Sequence, residues 1–576
     1  MHGPSRFSLT TALVTLLASA LWLSPCSATD EAIVARVEAL SAGFPVKVLG
    51  DTLMAHKALP AFYGANGYQR AWQSPELRHQ LIKAVERASD DGLNPVDYHA
   101  DILSDLAFRP MEDFSADLQA DLDLLFSDAF LILSSHMLEG KVNPQTVHAE
   151  WTANRRERAM ESVLSEALAR EDIVGALAAL RPADPAYRQL MSARRDLTTL
   201  LGQPWLPIAS RPTIRPGKRD ERLGEIRRRL AVLGDLTTEP APPRDPLFYG
   251  EDLEEAIPRF QARHGLEPDG LIGRDTFTAL NLMPVERLRQ IDATLERWRW
   301  LPESLGDTYV LVNIAAYELI MVENGEDVLR KRVIVGQPFR QTPVFSDHIQ
   351  YLVFSPTWTI PRTVMIQDLL PQIIRDPQYL TRLNIGVYRG WGADREKVDP
   401  TEVDWQSLNR NNFPFQLVQE PGPQNALGQV KFIFPNQYDV YLHDTPGRDL
   451  FGRNERSFSS GCIRVEQPFD LAERLLAAVP DWSRKKIDSL VTATAPQTVV
   501  LPKPVTVHIQ YWTSWIDDEG RMQFRNDIYN RDARLIAQLR QSASGDGQLP
   551  TPVATADFSA STTLSTTDRS DQPKFD

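Results

Sequence analysis

Nineteen residues separate His443 from Cys462, in a chain with ten histidines and two cysteines. A thiol attacks as its thiolate, and an ordinary cysteine pKa of about 8.5 leaves little of that form at neutral pH. An imidazole within reach takes the proton and returns it to a departing amine. Alternation along Asp439-Val440-Tyr441-Leu442-His443 puts Tyr441 and His443 on one face of a strand, with Val440, Leu442 and Asp444 on the other. Asp444 is therefore a poor third member of the pair despite being adjacent, and a backbone carbonyl is the alternative that orients the ring. Ser459-Ser460-Gly461-Cys462 offers a second requirement of acyl transfer. Gly461 permits close backbone approach, so N–H groups around Gly461 and Cys462 are candidate donors to an oxyanion. Arg464 shares the face of Cys462 if the segment is a strand. There it stabilises thiolate, binds a substrate carboxylate, or holds a loop through an ion pair.

The 576 residues exceed one ordinary core and imply several domains. With 42% hydrophobic and 24% charged residues the composition is that of a folded chain, and a net charge of -14 argues against nucleic acid as a partner. Residues 1–28 read as a targeting segment: Arg6, an apolar run from Phe7 to Leu23, then Cys26-Ser27-Ala28. Cleavage after Ala28 is the expectation and an uncleaved membrane anchor the rival. Cleavage removes Cys26 and leaves Cys462 as a lone thiol with no internal disulfide. In an oxidising compartment such a thiol is either used or packed away as a small hydrophobe.

These residues need elements to position them. From Asp30 to about Arg211 the pattern is mostly helical, best in Ala120 to Leu138, where Leu122, Leu125, Phe126, Ala129, Phe130 and Leu133 recur at three- and four-residue steps. His136 and His148 have no partner set for a metal and read as packing or surface residues. Arg211 to Lys218 reads as a linker. A small unit over 219–283 follows, with helical runs Leu223–Leu233 and Leu253–His264, a Gly-rich turn cluster and a short last helix. Pro284 to Trp300 is an amphipathic connector, with Leu288, Ile291, Leu295 and Trp298 on one face. After Thr308 the period becomes β, interrupted by helical or irregular sequence over about 366–424. A hairpin is expected around Asp517-Asp518-Glu519-Gly520, and a disordered tail from about Gln541. The fold class is multidomain α+β.

His443, the loop after it and Ser460-Gly461-Cys462-Ile463-Arg464 resemble the signature of the L,D-transpeptidases, the YkuD-fold catalytic domain, and most closely the large Gram-negative YcbB-like group. Many members of the family carry His where this chain has Ser460. Thr357-Trp358-Thr359-Ile360-Pro361-Arg362, Leu369-Leu370-Pro371, Asp376-Pro377-Gln378-Tyr379-Leu380 and Pro421 through Gly428 fit the same family, so the resemblance covers about 308–540. Phe260-Gln261, His264-Gly265-Leu266, Asp269-Gly270, Ile272-Gly273 and Thr276 resemble a three-helix peptidoglycan-binding domain. The helical region over 29–211 is similar by position to the scaffold region of the large transpeptidases, and 284–307 connects.

The resemblance implies acyl transfer on peptidoglycan in the periplasm of a Gram-negative bacterium, free or anchored, with Cys462 as nucleophile and His443 as base and then acid. It implies backbone donors at Gly461 and Cys462, and a cleft that includes Tyr441, Ser460, Arg464 and Trp358, although packing is the ordinary role for Trp358. The insertion would cap the donor as a lid. The implied partners are stem peptides and glycan, with no metal and no organic cofactor. Three alternatives stay open: water as acceptor (a carboxypeptidase), a lipoprotein amine as acceptor, or a wall-binding scaffold without catalysis.

Overall fold

The computed structural model describes residues 28–147, 156–236, 245–390, 392–477, 479–480, 482–491 and 495–541. The expected signal segment up to Ser27, His148 and the tail beyond Gln541 lie outside them. No helix among the described residues is long and apolar enough to cross a membrane.

The N-terminal region is helical, and the predicted central helix spans Ala116–Glu139. Ser115 caps it by accepting from the Leu118 N–H. All six periodic apolar residues are buried, and so are Asp123 and Asp128, which turn inward to accept backbone N–H groups of the surrounding loops at Ala71, Trp72, Met54 and Ala55. His136 bonds the Tyr98 hydroxyl at 3.0 Å and is a packing residue.

Helices Leu223–Val232, Glu251–Arg263 and Arg274–Asn281 form the small unit around Leu223, Ile226, Phe260, Phe277 and Leu280. The stretch Arg211–Lys218 is not a free linker. Ile214 is buried and exchanges backbone bonds of 3.1 and 3.0 Å with Ile272, because an apolar β-branched residue there closes the floor of the small core.

The amphipathic segment is a helix, Pro284–Arg299, but it is buried well beyond one face. Ile291, Ala293, Leu295 and Trp298 join the interior of the β-rich domain, together with Tyr187, Leu190 and Met191 from the helical region. Its polar side is buried in an ion network. Arg299 and Glu296 are both fully inaccessible and 2.5 Å apart. Glu296 also accepts from the Val142 N–H at 2.7 Å, and Arg299 donates to the Tyr187 hydroxyl and the Asp91 carbonyl, each at 2.8 Å.

The β-rich domain is built on a nine-stranded sheet. Its strands in chain order are β1 (Thr308–Asn313), β2 (Glu318–Glu323), β3 (Glu326–Gly336), β4 (Phe345–Phe354), β5 (Val430–Ile433), β6 (Leu442–His443), β7 (Ser457–Ser459), β8 (Ile463–Val465) and β9 (Gln497–Gln510). Spatially they run β7-β3-β8-β6-β5-β4-β9-β1-β2, and the sheet closes on itself where β2 also pairs with β3. The predicted hairpin forms as Ser514–Ile516 against Met522–Phe524. Between β4 and β5 the insertion has the expected helical pieces and, in addition, a four-stranded sheet around its own core of Ile360, Met365, Ile373, Val387, Phe415 and Leu417.

The Glu296–Arg299 pair predicts a stability effect. Glu296→Ala leaves a buried guanidinium without its carboxylate, and urea unfolding should show a loss of about 3–5 kcal/mol. A loss below about 1 kcal/mol would mean that the network contributes little.

Candidate active site

β6 and β8 are neighbouring parallel strands, with Leu442 opposite Ile463 and His443 opposite Arg464. The Ile463 N–H donates to the Tyr441 carbonyl at 3.1 Å, so the pairing extends one step back and sets Cys462 beside Tyr441. Side chains two apart share a face. Tyr441, His443, Cys462 and Arg464 thus gather on one face, and the two rings confirm it with a centroid separation of 5.7 Å. Asp439 takes a left-handed backbone, so the regular strand is shorter than the sequence pattern suggests.

The histidine is 4% exposed and its Nδ1 meets the Asp444 carbonyl at 2.5 Å. The Asp444 carboxylate points elsewhere: it accepts from the Gln429 N–H at 3.0 Å and faces Arg448. Backbone groups therefore orient the ring, the Asp444 carbonyl at Nδ1 and a further hydrogen bond at Leu427. Burial, and then the positive charge of Arg464, push the imidazole down to about 3. The partly exposed Cys462 is pushed up to about 11 by desolvation, against the lowering effects of Tyr441 hydrogen bonds and the Arg464 charge. At neutral pH the resting pair is therefore thiol and neutral imidazole. Proton transfer must accompany attack.

The loop before the cysteine corrects one expectation. The Gly461 N–H is not an open oxyanion donor, because it is taken by Ser459 Oγ at 3.1 Å. The same hydroxyl donates to the Cys462 carbonyl at 2.5 Å, so Ser459 organises the turn. What glycine supplies is shape: φ is +121°, a conformation that side chains disfavour. The Cys462 N–H has no acceptor among the described residues and is the remaining donor. Thr342 holds the far side, donating from Oγ1 to the Gly461 carbonyl at 2.8 Å.

Tyr441 is half-buried, with its hydroxyl against the Cys462 sulfur and the Trp358 indole. Trp358 is half-buried, packs on the core of the insertion and so serves both cleft and core. Arg464 forms no ion pair among the described residues, and its Nε is buried without an acceptor. Ser460 is exposed and accepts from Arg340 Nη1 at 2.8 Å.

Two contributors escaped the sequence reading. Lys431 lies opposite His443 on β5, so the register lines up Lys431, His443 and Arg464 in one basic row. Arg340 ties the insertion to the nucleophile loop. Besides Ser460 it bonds Asp368 through both guanidinium ends, at 2.6 and 3.0 Å, and Gln367 at 2.6 Å. Gln367 and Asp368 belong to a one-turn π-helical widening, Met365–Leu369. Neither contact has a local sequence signal. No group of side chains suited to a metal ion occurs among the described residues.

Family comparison bears on this geometry. Residues 307–505 match the profile described as "L,D-transpeptidase catalytic domain". This chain carries the catalytic domain of the L,D-transpeptidase family. Residues 219–280 match a "Putative peptidoglycan binding domain" and residues 57–193 a "Scaffold domain". A Haemophilus influenzae protein named "Putative L,D-transpeptidase" is 35% identical over 226 residues, which are 39% of this chain and 45% of that protein. The match thus spans less than half of that relative. Two solved structures show a likeness too slight to carry an argument. One is an L,D-transpeptidase from Mycobacterium smegmatis (13% identical, TM-score 0.18, 35% of this chain and 58% of that one). The other is an L,D-transpeptidase from Xylanimonas cellulosilytica (14% identical, TM-score 0.17, 53% of this chain and 100% of that one).

This geometry makes two predictions. Iodoacetamide alkylation of Cys462 should rise about tenfold per pH unit above neutrality and level off near the thiol's value of about 11. Arg464→Met should shift that profile to higher pH, because the Arg464 charge lowers the thiol; a plateau near pH 7 would reveal a thiolate already formed. Arg340→Gln should speed amide hydrogen exchange by about fivefold in both Met365–Leu369 and the loop before Cys462, the factor for about 1 kcal/mol. Asp368→Asn should affect only the first. Unchanged exchange in the cysteine loop of Arg340→Gln would deny the coupling.

Proposed function

We propose that this protein is a cysteine-dependent transpeptidase that joins peptidoglycan stem peptides between two meso-diaminopimelate residues. The observation that carries the reading is the common face of Cys462 and His443, beside an unclaimed Cys462 N–H. In the first step the thiol sulfur attacks the diaminopimelate carbonyl of a donor tetrapeptide while His443 Nε2 accepts the thiol proton. The Cys462 N–H donates to the oxyanion. The carbon–nitrogen bond to D-alanine then breaks, and the imidazolium returns its proton to the leaving amine. In the second step the side-chain amine of an acceptor diaminopimelate attacks the thioester, His443 takes the proton from that amine, and the thiol is restored on collapse.

Both partners start neutral at neutral pH, with the imidazole lone pair free. Transfer from a raised thiol to a lowered imidazole is uphill in the resting site, so the proton moves only as charge develops on the attacked carbonyl. Arg464, on the cysteine's face, favours charge on sulfur as it develops, and with Lys431 it suits a carboxylate of the donor. Tyr441 and Trp358 line the cleft beside the sulfur, and Ser460 acts through Arg340. The insertion closes over the donor as a lid. Peptidoglycan as substrate and an extracytoplasmic site of action accord with the peptidoglycan-binding and transpeptidase profiles.

Purified disaccharide-tetrapeptide is the direct test. Mass spectrometry should find a cross-linked dimer and free D-alanine with the native chain, and a Cys462→Ala rate lower by at least about a thousandfold. Tripeptide without dimer would make water the acceptor. Equal cross-linking by Cys462→Ala would overturn the nucleophile assignment.

A further inference from the structure

A cavity of about 300 Å³ lies where the small three-helix unit meets the catalytic domain, far along the sheet from Cys462. Arg259 and Arg263 enter it from helix Glu251–Arg263, Arg330 from β3, and Trp515, Arg521 and Arg525 from the C-terminal hairpin and its exit. Three of the five arginines are matched by carboxylates. Arg263 grips Asp235 at 2.7 and 2.5 Å. Arg330 bonds Glu318 and Asp327, at 2.8 and 2.7 Å, and lies 3.2 Å from Asp518. Arg521 pairs with Asp517 and Glu519.

Among the described residues, Arg259 and Arg525 have no carboxylate partner in an ion pair. Arg259 donates to the Asp235 carbonyl at 3.2 Å. Arg525 lies over Trp515, its Cζ 4.7 Å from the ring centroid, and donates from Nη1 to the carbonyls of Arg263 and Phe524 at 3.0 and 2.7 Å. Among the described residues its Nε and Nη2 make no hydrogen bond. The charge of Glu318 acts on it through space. The arrangement is built in from both sides. Arg525 passes so close to Gly265 that a Cβ there would stand 2.6 Å from its Cδ, and Gly265 takes a φ of +67°. His264 stacks on Phe524 beside it, with ring centroids 5.6 Å apart. The glycine of the His264-Gly265-Leu266 motif thus admits an arginine from the neighbouring domain.

A guanidinium drawn out of water without a counter-charge is costly, and its planar fork matches a carboxylate. We propose that this interdomain cavity is a binding site for a carboxylate on a polar chain, gripped by Arg525 and Arg259. The source, a free carboxylate of a peptidoglycan stem peptide, rests on the proposed function. A strand held here would be engaged by both domains at once, separately from the acyl donor.

The test is calorimetric titration of the full chain carrying Cys462→Ala. The probe is a muramyl dipeptide with both glutamate carboxylates free, compared with its diamide and with inorganic phosphate. Binding should be at least tenfold tighter for the free acid than for either comparison, and Arg259→Gln should weaken it at least tenfold. Arg525→Lys, which keeps the charge and loses the fork, should weaken it as well, and both variants count as folded if their unfolding midpoints match the parent. No binding of the acid, equal affinity for the diamide or for phosphate, or a folded Arg259→Gln that binds as the parent does would overturn the proposal. Because the measurement needs no turnover, binding of the acid here together with no cross-linking by the native chain would leave the cavity assignment standing and remove the transpeptidase reading.

Discussion

The pairing of Leu442 with Ile463 and of His443 with Arg464 is the constraint on which the site depends. It is a parallel pairing of two very short strands, and a slip of one residue would turn every side chain of one strand to the opposite face. Much of the surrounding architecture holds that register. β5 and β3 flank the pair on either side. Leu442 and Ile463, on the opposite face, are fully buried in the main core. Ser459 and Thr342 close the turn that delivers the cysteine. The reactive side chains are thus placed by backbone bonds and apolar burial, and their polar partners are mostly backbone groups, at Asp444 and Leu427 for His443 and at Asp439 for Cys462, with the Tyr441 hydroxyl added at the sulfur.

That placement also sets the electrostatics. A buried imidazole beside an arginine gives up its affinity for protons, and a thiol drawn from water resists ionisation. The two effects point against a stored ion pair. Arg464 opposes the second while reinforcing the first, so one cation tunes both members.

The sequence made the site legible where local pattern and chemistry coincide. Alternation around Tyr441 and His443, and the glycine before Cys462, were sufficient to choose the face and to reject Asp444. The oxyanion role given to the Gly461 N–H failed because a hydroxyl two residues earlier competes for it, which only coordinates reveal. Arg340 was invisible because its partner Ser460 lies 120 residues away. At the level of fold, β-branched runs announced the main strands, but the first half of β9 was hidden by Pro502 and Pro504, and the ladder there shifts register between Val500 and Val505. The insertion's strands are short and set among turn residues, so the small sheet they form gave no clear period. Helix Pro284–Arg299 showed its apolar stripe and concealed that its charged side is buried too.

That helix bears on what counts as a module in this chain. The catalytic profile begins at residue 307, yet Ile291, Leu295, Trp298 and Trp300 already fill the interior of the domain it describes. Tyr187 and Leu190, from the region upstream of the small unit, fill it as well. The cut suggested by sequence similarity therefore passes through packed side chains. Gene shuffling that moved the catalytic segment alone would carry an open wound in its hydrophobic interior, so the unit able to travel intact between proteins is larger than the segment that is recognisably related.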